Sequence, residues 1–228
     1  MNNRIRSYIH NTYIYISSIC LYGFIPFLFF GKKGAIFGCN VWARNVIRSA
    51  KYVLGIKYEV RGTLPNGPVI FASKHQSAWE TAFYYLVRRE SVYVYKKELA
   101  YIPMFNVFLW AARHICLDRK GGTKALKKLI RDVNDRLDDG RSVVIFPEGT
   151  RKFPGEAPDY KPGIAAIYAN TKYPIVPVRL NSGEFWPKAA RVKKPGKIIM
   201  EFMEPMPQGL SKKEFMKELE ARIEGTKP

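Results

Sequence analysis

The chain has 228 residues, 47% of them hydrophobic, and its 38 basic against 19 acidic side chains give a net charge of +19. That length holds one domain, or a domain with an appendage, around a sizeable core, and the apolar content excludes an intrinsically disordered chain. The basic excess points to an anionic partner: nucleic acid, an anionic membrane surface or a phosphorylated substrate. Cys20, Cys39 and Cys116 are scattered, with no C-x-x-C pair, so neither a disulfide framework nor a zinc site is indicated.

Residues 13–30 read YIYISSICLYGFIPFLFF, without a charge. A spanning helix needs roughly 20 apolar residues, so this run is marginal, and Pro26 would kink or break it. Arg4 and Arg6 precede it and Lys32 and Lys33 follow, so the flanks give no orientation. No small-x-small cleavage site follows the run. Residues 34–54 then show helical periodicity. Cys39, Ala43, Val46, Ile47, Ala50, Val53 and Leu54 make one apolar face, and Arg44, Arg48 and Lys51 a basic stripe. We read the two segments as a membrane-associated helical hairpin dipping into one leaflet. The alternative is a single spanning anchor followed by an ordinary surface helix. Either way the chain divides into residues 1–54 and an α/β domain, 55–228.

Beyond Gly55, short apolar runs alternate with helical patterns. Strands are expected at 58–60, 69–72, 92–95, 115–117, 142–146, 175–179 and 198–202, and helices at 79–87, 101–108, 123–137, 164–171 and 212–223. Ser211 and Glu214 form a capping box at the last helix. The basic stretch 188–196 reads as a solvated loop. This alternation implies an α/β fold with a mainly parallel sheet flanked by helices. In such sheets ligands bind beyond the carboxyl ends of strands. Four chemically rich segments follow strands here: SKHQ, Lys96-Lys97, Asp118-Arg119 and PEGTR.

An imidazole titrates near neutral pH, ~6.5 unperturbed, and can accept a proton from a hydroxyl. A carboxylate on its other nitrogen fixes the tautomer and stabilises the imidazolium. His75 and Glu80 fit those roles if the chain curls Glu80 back beneath the ring; an isolated pair is more often a satisfied core histidine beside a solvated glutamate. Ser77 lacks a G-x-S-x-G setting and reads as a helix cap rather than a nucleophile. His114 and Asp118 form a second spaced pair, and His114 reads as structural. In FPEGTR, Gly149 permits close backbone approach, Arg151 offers a fork suited to phosphate, and Glu148 can hold an arginine or a substrate hydroxyl.

Taken together, these residues resemble the PlsC-type glycerolipid acyltransferases, the 1-acyl-glycerol-3-phosphate acyltransferases. SKHQSAWE, the stretch from KKELAYIPMF to ICLDRK, FPEGTR and YPIVPV are similar to the family's four blocks, in its order. The family usually has aspartate where this chain has Glu80. The resemblance implies a glycerol-3-phosphate acyltransferase-like fold. It implies His75 as general base, Glu80 as its orienter, and Glu148, Gly149, Thr150 and Arg151 gripping a glycerol phosphate. Lys97 and Arg119, with Lys96 as the alternative to Lys97, would also bind phosphate, and Pro177 would shape an acyl pocket. The implied reaction moves an acyl group from acyl-CoA or acyl-carrier protein, as co-substrate, to 1-acyl-sn-glycerol-3-phosphate, giving phosphatidic acid, with no cofactor and no metal. The expected partners are lysophospholipid, acyl thioester, the membrane surface and acyl-carrier protein, and not nucleic acid, with the catalytic domain on the cytoplasmic face. Two readings compete: the same chemistry on lyso-ornithine lipid or lysophosphatidylcholine, and a non-catalytic, basic, membrane-tethered nucleic-acid binder.

Overall fold

The structure, a computed structural model, describes residues 2–102 and 105–225. Helix α1 (Asn3–Cys20) starts where the Asn2 side chain accepts the Arg4 N–H at 3.0 Å. It runs into a 3-10 segment, Leu21–Phe30, that contains Pro26. Gly31, at φ +58, starts helix α2 (Gly31–Ser49), which closes with a π-helical turn, Ala50–Leu54. The two arms lie against each other: Trp42 Nε1 donates to Ser18 Oγ at 3.1 Å, and the Phe27 and Phe37 ring centroids are 5.6 Å apart. Gly34 sets the closeness of the arms, since a Cβ there would stand 1.7 Å from the Phe27 carbonyl oxygen.

The expected hairpin is therefore present, but its apolar face is used differently. Cys39, Ala43, Val46, Ile47, Ala50 and Leu54 are buried against the α/β body, and Arg44, Arg48 and Lys51 remain exposed. The exposed apolar surface lies instead on α1 and the 3-10 segment, on Tyr8, Ile16, Ile19, Phe29 and Phe30. The run Asn3–Leu54 is long and apolar enough to cross a membrane by length and composition.

The body follows as β1 (Ile56–Arg61), β2 (Ile70–Ser73), α3 (Trp79–Val87), β3 (Val92–Lys96), a 3-10 turn (Lys97–Tyr101), α4 (Phe105–Ala111), β4 (Ile115–Leu117), α5 (Gly122–Asp138), β5 (Val143–Ile145), α6 (Gly163–Tyr168), β6 (Ile175–Leu180), α7 (Ser182–Phe185), β7 (Gly196–Phe202) and α8 (Lys212–Glu224). The helix expected at 101–108 is split into the 3-10 turn and α4, and Pro103 and Met104 lie outside the described residues. The sheet order is β1-β7-β6-β2-β5-β3-β4. The five strands from β6 to β4 are mutually parallel; β7 runs antiparallel to β6, and β1 parallel to β7.

Strand side chains alternate between two cores. Phe71, Val144, Val176 and Val178 pack with α2 and α3 on one face; Ile70, Ala72, Val143, Ile145 and Ile175 pack with α5, α6 and α8 on the other. Covering both faces explains the continuously apolar strands. The capping box at α8 forms, with Ser211 Oγ accepting the Glu214 N–H at 3.3 Å. The loop expected to be solvated is tied down at Lys193, which is buried and whose backbone N–H donates to Ser7 Oγ on α1 at 2.8 Å. This parallel arrangement has one consequence for chemistry: the carboxyl ends of β2 to β6 all open on a single edge.

Candidate active site

His75 lies just beyond β2, and α3 begins four residues later. Glu80, in the first turn of that helix, is fully buried and turns back toward the loop that precedes it. Its Oε1 stands 3.0 Å from His75 Nδ1 and accepts the backbone N–H groups of Gln76 and Ser77 at 2.7 and 2.6 Å. Its Oε2 accepts the Ser182 hydroxyl at 2.8 Å. A carboxylate with these donors holds the proton on Nδ1, leaving Nε2 as the basic nitrogen available to a ligand. The His75 ring stacks on Phe146, at the end of β5, with centroids 3.9 Å apart and planes within 17°. The Glu80 carboxylate and the Phe146 ring together therefore fix the imidazole plane. Ser77 caps the turn, its Oγ accepting the Trp79 N–H at 3.0 Å.

His75 lines a cleft of about 980 Å³ that opens along this edge. Its walls are mostly apolar, from Leu21, Trp42, Tyr85 and Phe108 on the hairpin side to Leu129 and Ile167 beyond the sheet. Lys96, Arg119, Arg151 and Lys161 bring positive charge to it. Burial lowers the Lys96 ammonium below its ordinary range, and the Arg119 and Arg151 cations lower it further. Such a cluster accepts a phosphate readily.

Several expected residues meet at this cleft, and others point elsewhere. Gly149 and Thr150 line it with Arg151, and Arg119 Nη2 donates to the Gly149 carbonyl oxygen, joining the loops after β4 and β5. Gly149 has φ +65, and a Cβ there would meet Arg119 Nη2 at 2.7 Å, so the turn requires glycine. Lys97 is exposed and bound to Asp118 at 2.9 Å; Lys96, one residue earlier, is the lysine on the cleft wall. Adjacent residues leaving a strand diverge to opposite sides, which selects one of the pair. Glu148 is buried and does not face the cleft; it turns toward Lys74, Nζ to Oε1 3.8 Å. Pro177 is buried within β6, one register step from the face that carries Val176 and Val178, and forms no part of the cleft lining.

His114 and Asp118 do not pair. His114 Nδ1 accepts the Tyr93 N–H at 3.0 Å, and its Nε2 lies 2.8 Å from the Tyr85 hydroxyl. Burial, with help from Arg141 and Arg136, pushes this imidazole down to about 3, so it stays neutral. Two partners in the site were not anticipated from sequence: Ser182 and Phe146. Ser182 follows β6 as His75 follows β2, so the rule that ligands gather beyond parallel strands could have found it. Among the described residues, no group of three or more His, Cys, Asp or Glu is arranged to hold a metal ion.

The geometry can be set beside known proteins. The family model named Acyltransferase matches residues 55–181, more than half of the chain. The chain belongs to the acyltransferase family. It is 40% identical over 159 residues to the 1-acyl-sn-glycerol-3-phosphate acyltransferase of Pseudomonas aeruginosa, covering 69% of this chain and 62% of that protein. It is 29% identical over 187 residues to the human 1-acyl-sn-glycerol-3-phosphate acyltransferase alpha, covering 78% and 66%. The chain thus matches a little under two thirds of the length of these curated relatives. The crystal structure of PlsC, the 1-acyl-sn-glycerophosphate acyltransferase from Thermotoga maritima, superposes with a TM-score of 0.73 at 21% identity. That match covers 98% of this chain and 97% of that one, and it extends the common fold through the N-terminal hairpin.

Proposed function

We propose that this acyltransferase moves an acyl group from acyl-CoA or acyl-carrier protein to the free hydroxyl of 1-acyl-sn-glycerol-3-phosphate, giving phosphatidic acid. The observation that carries the reading is His75, oriented by Glu80, at the wall of an apolar cleft that also bears four cations. His75 Nε2 takes the hydroxyl proton as the oxygen attacks the thioester carbonyl. The tetrahedral intermediate collapses with loss of the thiolate, which takes the proton from the imidazolium. The Glu80 carboxylate steadies that imidazolium while it exists. No covalent acyl-enzyme forms. Arg119, Arg151 and Lys96 hold the acceptor's phosphate, and the apolar walls take the acyl chain.

The exposed aromatic and aliphatic surface of α1 and of Leu21–Phe30 supports a hairpin seated in one leaflet, from which a lipid acceptor enters the cleft sideways. We place the catalytic domain on the cytoplasmic face, where acyl thioesters are supplied. The purified full chain, assayed on lysophosphatidic acid, lysophosphatidylcholine and lyso-ornithine lipid with each donor, tests this. Preferential turnover of lysophosphatidic acid supports the reading; turnover confined to an acceptor without a terminal phosphate overturns its substrate.

A further inference from the structure

Outside the residues that line the cleft lies a charged cluster that the reaction above does not use. Lys74 directly precedes His75 and is buried. Its Nζ donates to Glu224 Oε2, in the last turn of α8, and stands 3.8 Å from Glu148 Oε1. The Tyr160 hydroxyl donates to Glu224 Oε1 at 3.0 Å. Glu148 is 1% exposed, and among the described residues no side chain hydrogen-bonds either carboxylate oxygen, with only the His75 backbone acting on it as a donor. One ammonium thus lies between two carboxylates from distant parts of the chain. Glu148 leads directly into Gly149–Arg151, so the cluster touches both loops that frame the cleft.

We propose that buried Lys74 and Glu148 and half-buried Glu224 form a positioning cluster, through which the end of the C-terminal helix sets the spacing between His75 and the phosphate-facing turn 149–151. The proposal rests on the acyl-transfer reading. Its physical basis is the cost of burying charge. An unpaired carboxylate at this depth is expensive, so Glu148 stays near Lys74 and carries the turn with it. Lys74 is in turn held by Glu224, which Tyr160 orients. Burial raises the Glu148 carboxyl to about 7; the Lys74 ammonium opposes that rise, and the Glu224 and Glu80 carboxylates reinforce it. Lys152, from the loop after β5, and the His75 backbone also face the cluster. Titration in this cluster therefore depends on the sum of charges that the three residues carry.

A positioning role and a merely structural one give different pH profiles. Removing a cation raises every titration within its field, and removing an anion lowers it. The limb of kcat/KM nearest neutrality should move to higher pH in Lys74→Met and to lower pH in Glu224→Gln. Misplaced loops should lower kcat in both, on the order of tenfold or more, with KM for the thioester little changed. Lys74→Arg should restore much of the loss. Glu224→Gln is nearly isosteric at a helix end, so it keeps the test intact if Lys74→Met fails to fold. A folded Glu224→Gln enzyme with wild-type kcat and an unmoved limb overturns the proposal, as do limbs that move in the same direction. His75→Ala, measured in parallel, separates the two readings. If His75→Ala is inactive and the cluster variants are normal, only this proposal fails. If His75→Ala is fully active, the assignment of His75 as base fails with it, and if the wild-type chain transfers no acyl group, the acyl-transfer reading itself fails.

Discussion

Ser182 and His75, at the ends of β6 and β2, are joined through one carboxylate: Glu80 accepts the Ser182 hydroxyl on Oε2 and faces His75 Nδ1 with Oε1. Glu80 therefore works as an anchor for the loop as well as an orienter of the ring. It also accepts two backbone N–H groups that have few other partners available in a buried turn.

Replacing Glu80 should thus damage stability and turnover together. Glu80→Ala strands the buried N–H groups of Gln76 and Ser77, at about 1–3 kcal/mol for each unsatisfied group. It also leaves the imidazolium unsupported. Thermal melts should show a clear fall in Tm, and kcat should fall on the order of 10²-fold or more. Ser182→Ala removes one hydrogen bond of about 1 kcal/mol and should lower kcat modestly with little change in KM. An unchanged Tm in Glu80→Ala would contradict the anchoring role.

The four cleft cations should not contribute equally with their neighbours. Arg151→Ala and Arg119→Ala should raise KM for a phosphate-bearing acceptor about tenfold or more, since each removes a charged hydrogen-bond donor. Lys96→Ala should do likewise. Lys97→Ala removes only an exposed pair with Asp118 and should leave KM nearly unchanged. Steady-state kinetics across this set checks the assignment.

Glu148 gives stability a pH dependence of defined sign. Its carboxyl is raised from 4.5 to about 7 in the fold, so the native state binds more protons than the unfolded chain across that window. Its favourable contribution is complete below the unfolded value and is lost as pH rises through about 7, a change of roughly 3 kcal/mol. Glu148→Gln should therefore flatten the fall in stability between pH 5 and pH 8, about the span of this titration. His114 acts in the opposite sense. Its imidazole is lowered to about 3, so its contribution is present above the unfolded value of 6.5 and is lost as pH falls toward 3. His114→Gln should resist acid better than its stability near neutrality would suggest. Denaturant melts across pH check both signs.

The hairpin offers a steric test. Gly34→Val would drive a side chain into the Phe27 backbone, which cannot swing aside as a flexible side chain could. We expect a loss of at least a few kcal/mol, or a hairpin whose arms separate. Gly23→Ala, where no atom of the described residues lies within 4 Å, is the matched control and should be neutral. Equal melts for the two variants would contradict the packing.

The sheet was legible because its strands are short, apolar and rich in branched side chains, and because helices separate them. The direction of β7 was not, since local pattern records burial and not whether a neighbour runs parallel. His75, Glu80 and the Gly149–Arg151 turn were legible because strand-end chemistry and a family resemblance coincide there. The choice between Lys96 and Lys97 was not, because it depends on which way the chain turns on leaving β3. The same limit applies to Glu148: sequence shows a carboxylate beside an arginine, and only three-dimensional packing turns it inward to Lys74. Lys193 was misread for a related reason, because a loop's composition does not reveal that α1 will fold over it. The partners in the charged cluster, Lys74 and Glu224, lie 150 positions apart, and no local pattern connects them.

The most direct test of the account is transfer itself. Purified full-length protein and its His75→Ala variant should be compared for formation of phosphatidic acid from lysophosphatidic acid and an acyl thioester, in detergent, with matched circular dichroism. We predict steady product formation by the wild-type chain and a loss on the order of 10³-fold or more in a variant that remains folded. A folded His75→Ala protein that turns over at the wild-type rate would contradict the assignment of the base, and the mechanism built on it.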